Sequence, residues 1–203
     1  RVVENCTYGV DINPLAVELA KLSLWILSMA KDTHLSFLNH HLKCGNSLIG
    51  ARLSDIGIYP GNKKPVKTKQ VYMWDKDLEF KETVDKVIND YLAIERRETI
   101  SKDDIEFKKE MLDDIHEALK PYKKVCDYHT SMYFDNNIDE SEYFTLIKTP
   151  EFIKVETNNY FHWELEFPEI FGNYKGFGII VGNPPYVSAE SNQYSNKFQD
   201  RYE

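Results

Sequence analysis

The sequence predicts an α/β domain interrupted by a largely helical insertion. Three observations carry that prediction. Residues 7 to 12, TYGVDI, read as a short buried strand that ends in an acid and runs straight into a helix-start signal. Residues 176 to 181 read as a second buried strand, cut off by Asn183-Pro184-Pro185-Tyr186. Between them lies a long charge-dense stretch with helical periodicity.

After the first strand, Asn13 supplies an N-cap and Pro14 the first helical position. The helix is predicted to run to about Ala30. Leu15, Leu19, Leu22, Ile26 and Met29 recur at spacings of three and four, and Ala16, Ala20, Leu24 and Trp25 widen that stripe. The helix is therefore expected to be largely buried. His40 to Lys43 read as a further strand, with Gly45-Asn46-Ser47 as a loop at its carboxyl end. Strand, helix, strand is the unit of a parallel sheet, and such sheets bind ligands beyond the carboxyl ends of their strands. Asp11 and Asn46 are expected to project into one crevice there.

The character changes near Pro60. The segment YPGNKKPVKTKQ is a basic linker rich in Pro, Gly and Lys. Asp75 to about Glu98 and Ser101 to about Val125 then read as charged helices. In the second, Ile105, Leu112, Ile115, Leu119, Tyr122 and Cys126 fall near heptad spacing, and Ser101 with Asp104 resembles a capping box. Pro121 is a candidate kink, and Ser141 to Ile147 a shorter third helix. The aromatic, partly alternating FHWELEFPEIF from Phe161 marks the return of α/β character. The predicted organisation is thus a first core segment at 1–61, a helical insertion at 62–150, and a second core segment at 151–203.

Bulk properties narrow the function. The 203 residues are 42% hydrophobic and 29% charged, a globular balance with material for one core and an appendage. A net charge of −8 argues against DNA being held by these residues alone. The three cysteines, Cys6, Cys44 and Cys126, are widely spaced and form no CxxC, so reduced thiols, no structural metal and a cytoplasmic location are expected. His40 and His41, adjacent on a strand, would point to opposite faces and are not read as metal ligands. The longest apolar stretch contains Glu18 and Lys21 and is too short to span a bilayer, so no membrane association is expected.

Asn183-Pro184-Pro185-Tyr186 supports a specific chemistry. An amide side chain and a peptide carbonyl held side by side make a two-acceptor clamp, suited to an exocyclic amino group. Pro185 confines Pro184 to extended conformations, which fixes the direction of the Pro184 carbonyl. Tyr186 adds a flat ring for a base to stack on. Two acceptors on the hydrogens of an adenine amino group favour a tetrahedral, more nucleophilic nitrogen, and direct attack on an activated methyl then needs no covalent intermediate. In duplex DNA such a base must first be flipped out.

YGVDINPLAVELAKLSLWI, HLKCGNSLIG and GFGIIVGNPPYV together resemble the second, third and fourth motifs of S-adenosylmethionine-dependent adenine-N6 DNA methyltransferases. The likeness is strongest to the type IIG restriction–modification enzymes and to related methylases of phage defence. It covers roughly residues 7 to 50 and 160 to 190. The resemblance implies a partial Rossmann-like methyltransferase fold, with S-adenosyl-L-methionine as cofactor and double-stranded DNA with a flipped adenine as partner. It implies that Asp11 binds the cofactor ribose, that Ile12 packs on its adenine, and that Asn46, with Ser47 and Leu48 beside it, meets the adenine edge. Many family members have Asp where Asn46 stands. Asn183, Pro184, Pro185 and Tyr186 are implied as the catalytic clamp.

The family's first motif, a glycine-rich loop, is not found before VVENCTYGVDINP, and no target-recognition domain is found either. The chain is therefore expected to be part of a longer protein and to have little methylase activity alone, with partner domains lying elsewhere. Glu79-Phe80-Lys81 and Glu106-Phe107-Lys108 satisfy ExK, but both sit in helical stretches without a paired acid on a strand, so no nuclease role is assigned. Lys63, Lys64, Lys67 and Lys69 offer a DNA-backbone contact; a solvated charged face is the simpler reading. Competing functions are an NPPY methylase acting on rRNA or protein, and a non-catalytic interaction or scaffold module.

Overall fold

The computed structural model describes residues 6–28, 38–60, 78–97, 101–134, 139–155, 159–174 and 176–183. Strands β1 (Gly9–Asp11) and β2 (Leu42–Cys44) pair in parallel, Gly9 opposite Leu42 and Asp11 opposite Cys44. Between them runs helix α1 (Pro14–Ser28). Its start follows the sequence: Asn13 Oδ1 accepts from the Leu15 N–H at 2.9 Å, and Pro14, which has no N–H to lose, takes the first helical position.

Two expectations about burial fail. Of the α1 stripe, Leu15, Leu19, Leu22 and Ile26 are exposed, and the helix instead seats Val17 and Leu24 against Leu38 and Leu42. Met29 lies outside the described residues. Likewise residues 176–183 form no strand, and Ile179, Ile180 and Val181 are 85%, 79% and 91% exposed. A strand needs a neighbour to take its N–H and C=O groups, and this segment has none among the described residues. The third difference is local. His40 and His41 lie in a turn ahead of β2 rather than within it.

The larger core belongs to the helices. Helix α2 (Leu78–Arg96) buries Phe80, Val87, Tyr91 and Ile94, and packs along α3 (Lys102–Ser131). The Ser101–Asp104 pair forms the expected capping box, with the Asp104 N–H bonded to Ser101 Oγ and the Ser101 N–H bonded to the Asp104 carboxylate. Helix α3 continues through Pro121 without interruption and buries Ile115, Leu119, Val125 and Cys126. Helix α4 (Glu140–Leu146) inserts Tyr143, whose hydroxyl donates to the Ile56 carbonyl at 2.7 Å. That hydroxyl has a single proton, so His129 Nδ1, also 2.7 Å away, is the donor of the second bond.

FHWELEFPEIF runs into two short helices, α5 (Trp163–Glu166) and α6 (Pro168–Tyr174). Just before them the chain touches the sheet end through a parallel bridge between Asn46 and Tyr160. The main core takes Ala51 and Ile56 from the first segment, Ile153 and Leu165 from the last, and the rest from α2, α3, α4 and Ile147 just beyond α4. Among the described residues no helix is long and apolar enough to cross a membrane.

Candidate functional site

The parallel pairing brings the carboxyl ends of β1 and β2 together. The Gly45 N–H donates to the Asp11 carbonyl at 3.0 Å, and Cys44 Sγ approaches the Ile12 carbonyl at 3.6 Å. Asp11 is exposed at the last position of β1, and its Oδ1 accepts from the Asn13 N–H at 2.8 Å. That bond turns the chain into α1 and orients the carboxylate. Ile12, 60% exposed, follows it.

Asn46 opens the turn after β2. Its N–H donates to the Asn159 carbonyl at 2.8 Å, and its Oδ1 accepts from the Leu48 N–H at 3.1 Å. The side-chain carbonyl therefore helps to build the turn, and its second lone pair is the one a ligand can use. Ser47 and Leu48 are exposed, and the Ser47 carbonyl accepts from Trp163 Nε1 at 3.0 Å. Asp11, Ile12, Asn46, Ser47 and Leu48 thus stand at one end of the sheet, as the strand order predicts. Asn183 is exposed in irregular chain. Pro184, Pro185 and Tyr186 lie outside the described residues, as do Lys63, Lys64, Lys67 and Lys69.

The turn is braced by residues that sequence reasoning missed. The Phe161 N–H donates to the Ile49 carbonyl at 2.8 Å. His162 Nδ1 accepts from the Ala51 N–H at 3.0 Å, which leaves Nε2 to donate to the Asp127 carboxylate on α3 at 2.9 Å. Glu164 accepts from the Leu53 N–H. Gly50 is required here: a Cβ on it would lie 2.1 Å from the Phe161 carbonyl oxygen. No periodicity marks His162 or Asp127; only a contact between distant segments reveals them.

Beside the turn sits a half-buried ionic group. Glu166 bonds Lys43 at 3.1 Å and Lys123 at 2.5 Å. Lys43 also donates to the Glu166 carbonyl and lies 5.0 Å from the centroid of the Phe167 ring. Burial pushes the Glu166 carboxyl up, but the two ammonium groups outweigh it and hold the group at about 2. Glu169, buried on α6, has no ion pair among the described residues, and burial raises it to about 7.

The family described as Eco57I restriction-modification methylase matches residues 5–203. A Methanocaldococcus jannaschii protein, whose name marks it as a candidate type II restriction enzyme and methyltransferase, is 26% identical over 218 residues. The alignment spans 91% of this chain and 18% of that relative's length. No solved structure matches.

Proposed function

This chain belongs to the Eco57I restriction-modification methylase family, and on that premise we propose that it forms part of a DNA methyltransferase in a restriction–modification system. In this reading residues 1–61 and 151–203 contribute to a Rossmann-like core, and 62–150 are a helical insertion. The reaction transfers a methyl group to the exocyclic amino group of a flipped adenine. S-adenosyl-L-methionine supplies the activated methyl group when bound.

The observation that supports the reading is the placing of Asp11, the last residue of β1, and Asn46, two residues beyond β2, at the same carboxyl end of a parallel strand pair. The residues present fit a nucleoside. An exposed carboxylate suits ribose hydroxyls, and the exposed side chains of Ile12 and Leu48 offer apolar surface for a purine face. Asn46 would meet the adenine edge of the cofactor through its remaining lone pair. At the other end of the reaction, the Asn183 side chain and the Pro184 carbonyl would accept from the target amino group, with Tyr186 beneath the base.

The test is methyl transfer by the intact protein. Labelled methyl groups from S-adenosylmethionine should enter duplex DNA and appear, after digestion, as N6-methyladenine. Asn183→Ala should cut the rate by about 10²–10³ while leaving cofactor binding intact. Label in cytosine, in RNA or in protein would replace this reading.

A further inference from the structure

Adjacent residues on a strand diverge, but His40 and His41 lie in a turn, so that objection to a shared site does not hold. Both are buried, and their ring centroids are 4.0 Å apart. Glu95, in the last turn of α2, reaches the same place, with Oε1 3.4 Å from His41 Nε2. One ligand atom from each of the three residues lies within 4.8 Å of the other two.

Two observations point to a ligand. A spacing of 3.4 Å is long for a hydrogen bond, for which about 2.9–3.0 Å is usual. It matches the ~3.3 Å edge between neighbouring donors on a tetrahedral ion with bonds of about 2.0–2.1 Å. In addition, His41 Nδ1 is buried with no hydrogen-bond partner among the described residues. The long contact from Nε2 to Glu95 is the one hydrogen bond of this ring among the described residues, and burying Nδ1 unsatisfied is unfavourable without compensation.

We propose that His40, His41 and Glu95 bind one divalent transition-metal ion of the zinc class. Two imidazoles and one carboxylate suit zinc or cobalt, whereas magnesium and calcium favour all-oxygen shells. Water completes the shell. Binding needs donor gaps that now reach no more than 4.8 Å to close to about 3.3 Å, a side-chain shift of at most roughly 1.5 Å. The site lies at the amino end of β2, opposite the end that carries Asp11 and Asn46. Its ion would tie the end of α2 to the turn that leads into the sheet, a structural clamp rather than a participant in methyl transfer.

The experiment uses untagged protein stripped with chelator. Titration with zinc against a chromophoric competitor should show one ion per chain and a raised Tm, and cobalt should give visible d–d bands that zinc bleaches. Glu95→Gln, nearly the same shape, should weaken zinc binding at least tenfold, comparably to or beyond the loss of an outer-shell partner. Circular dichroism of the stripped variant checks that its fold is retained. Should that variant fail to fold, the cobalt spectrum of the unmodified protein decides. Absence of cobalt bands, equal zinc affinity in a folded Glu95→Gln protein, or an equal Tm shift with magnesium would each overturn the proposal.

Discussion

Lys43, in the middle of β2, and Glu166, in α5, are 123 residues apart in sequence and form a half-buried ion pair at 3.1 Å. The pair joins the sheet to the short helices that follow the insertion. With Lys123 of α3 on the other carboxylate oxygen, three segments of the chain converge on one acid.

This acid predicts an acid-sensitive step in stability. The folded carboxyl sits at about 2 against an ordinary 4.5. Its contribution is therefore complete above the ordinary value and is lost as the pH falls through about 2. That difference corresponds to roughly 3 kcal/mol. Glu166→Gln should be less stable than the unmodified protein by an amount of that order at neutral pH. Urea denaturation at a series of pH values should show the gap shrinking toward zero in strong acid. A gap independent of pH would mean that the carboxylate charge contributes nothing.

Gly50→Ala should destabilise the chain by about 1–3 kcal/mol, because its Cβ would lie 2.1 Å from the Phe161 carbonyl oxygen and 2.7 Å from its carbon. Backbone cannot give way as a flexible side chain does, so the bond from the Phe161 N–H to the Ile49 carbonyl should weaken as well. Gly178→Ala is the control. Nothing lies within 4 Å of a Cβ there, and its melting temperature should match that of the unmodified protein.

For the proposed cofactor site, Asp11→Ala should raise the dissociation constant for S-adenosylmethionine about 10- to 100-fold in the intact protein. Hydrogen bonds to a charged group contribute ~1.5–3 kcal/mol, which gives that range. Isothermal titration calorimetry reads it directly. Unchanged affinity would remove Asp11 from the site.

The exposed stripe of α1 makes an unusual prediction for a helix so apolar. Leu19→Lys should alter stability by less than about 0.5 kcal/mol, since Leu19 is 55% exposed. Val17→Ala, two positions earlier at 5% exposure, should cost about 1–3 kcal/mol. Thermal melts of the two variants separate the cases, and a large loss in Leu19→Lys would place that side chain in a core after all.

These contrasts mark how far the sequence could be read. The start of α1, the Ser101 capping box, the helices of the insertion and the joint placing of Asp11 and Asn46 were legible because each rests on neighbours a few residues away. The buried face of α1 and the strand at 176–181 were not. Periodicity reports that a helix has an apolar stripe, and an apolar run that a strand is affordable to bury; neither says what covers it. His162, Asp127 and Glu166 were illegible for the complementary reason. His162 meets Ala51 and Asp127, and Glu166 meets Lys43 and Lys123, only because the fold brings them together. The partial alternation of FHWELEFPEIF assigned it no element, and its two short helices pack against α2 and α3.

The bridge between Asn46 and Tyr160 has a consequence for length variation. The turn after β2 and the residues before α5 are held together, as are Ala51 and His162, 111 residues apart. Everything between them is a parenthesis whose two brackets already touch. Closing a flexible loop grows only logarithmically more costly, by about 0.6 kcal/mol for each doubling of its length. Segments added or removed inside the parenthesis, away from the packed faces of its helices, should leave the brackets, and the sheet end they frame, where they are.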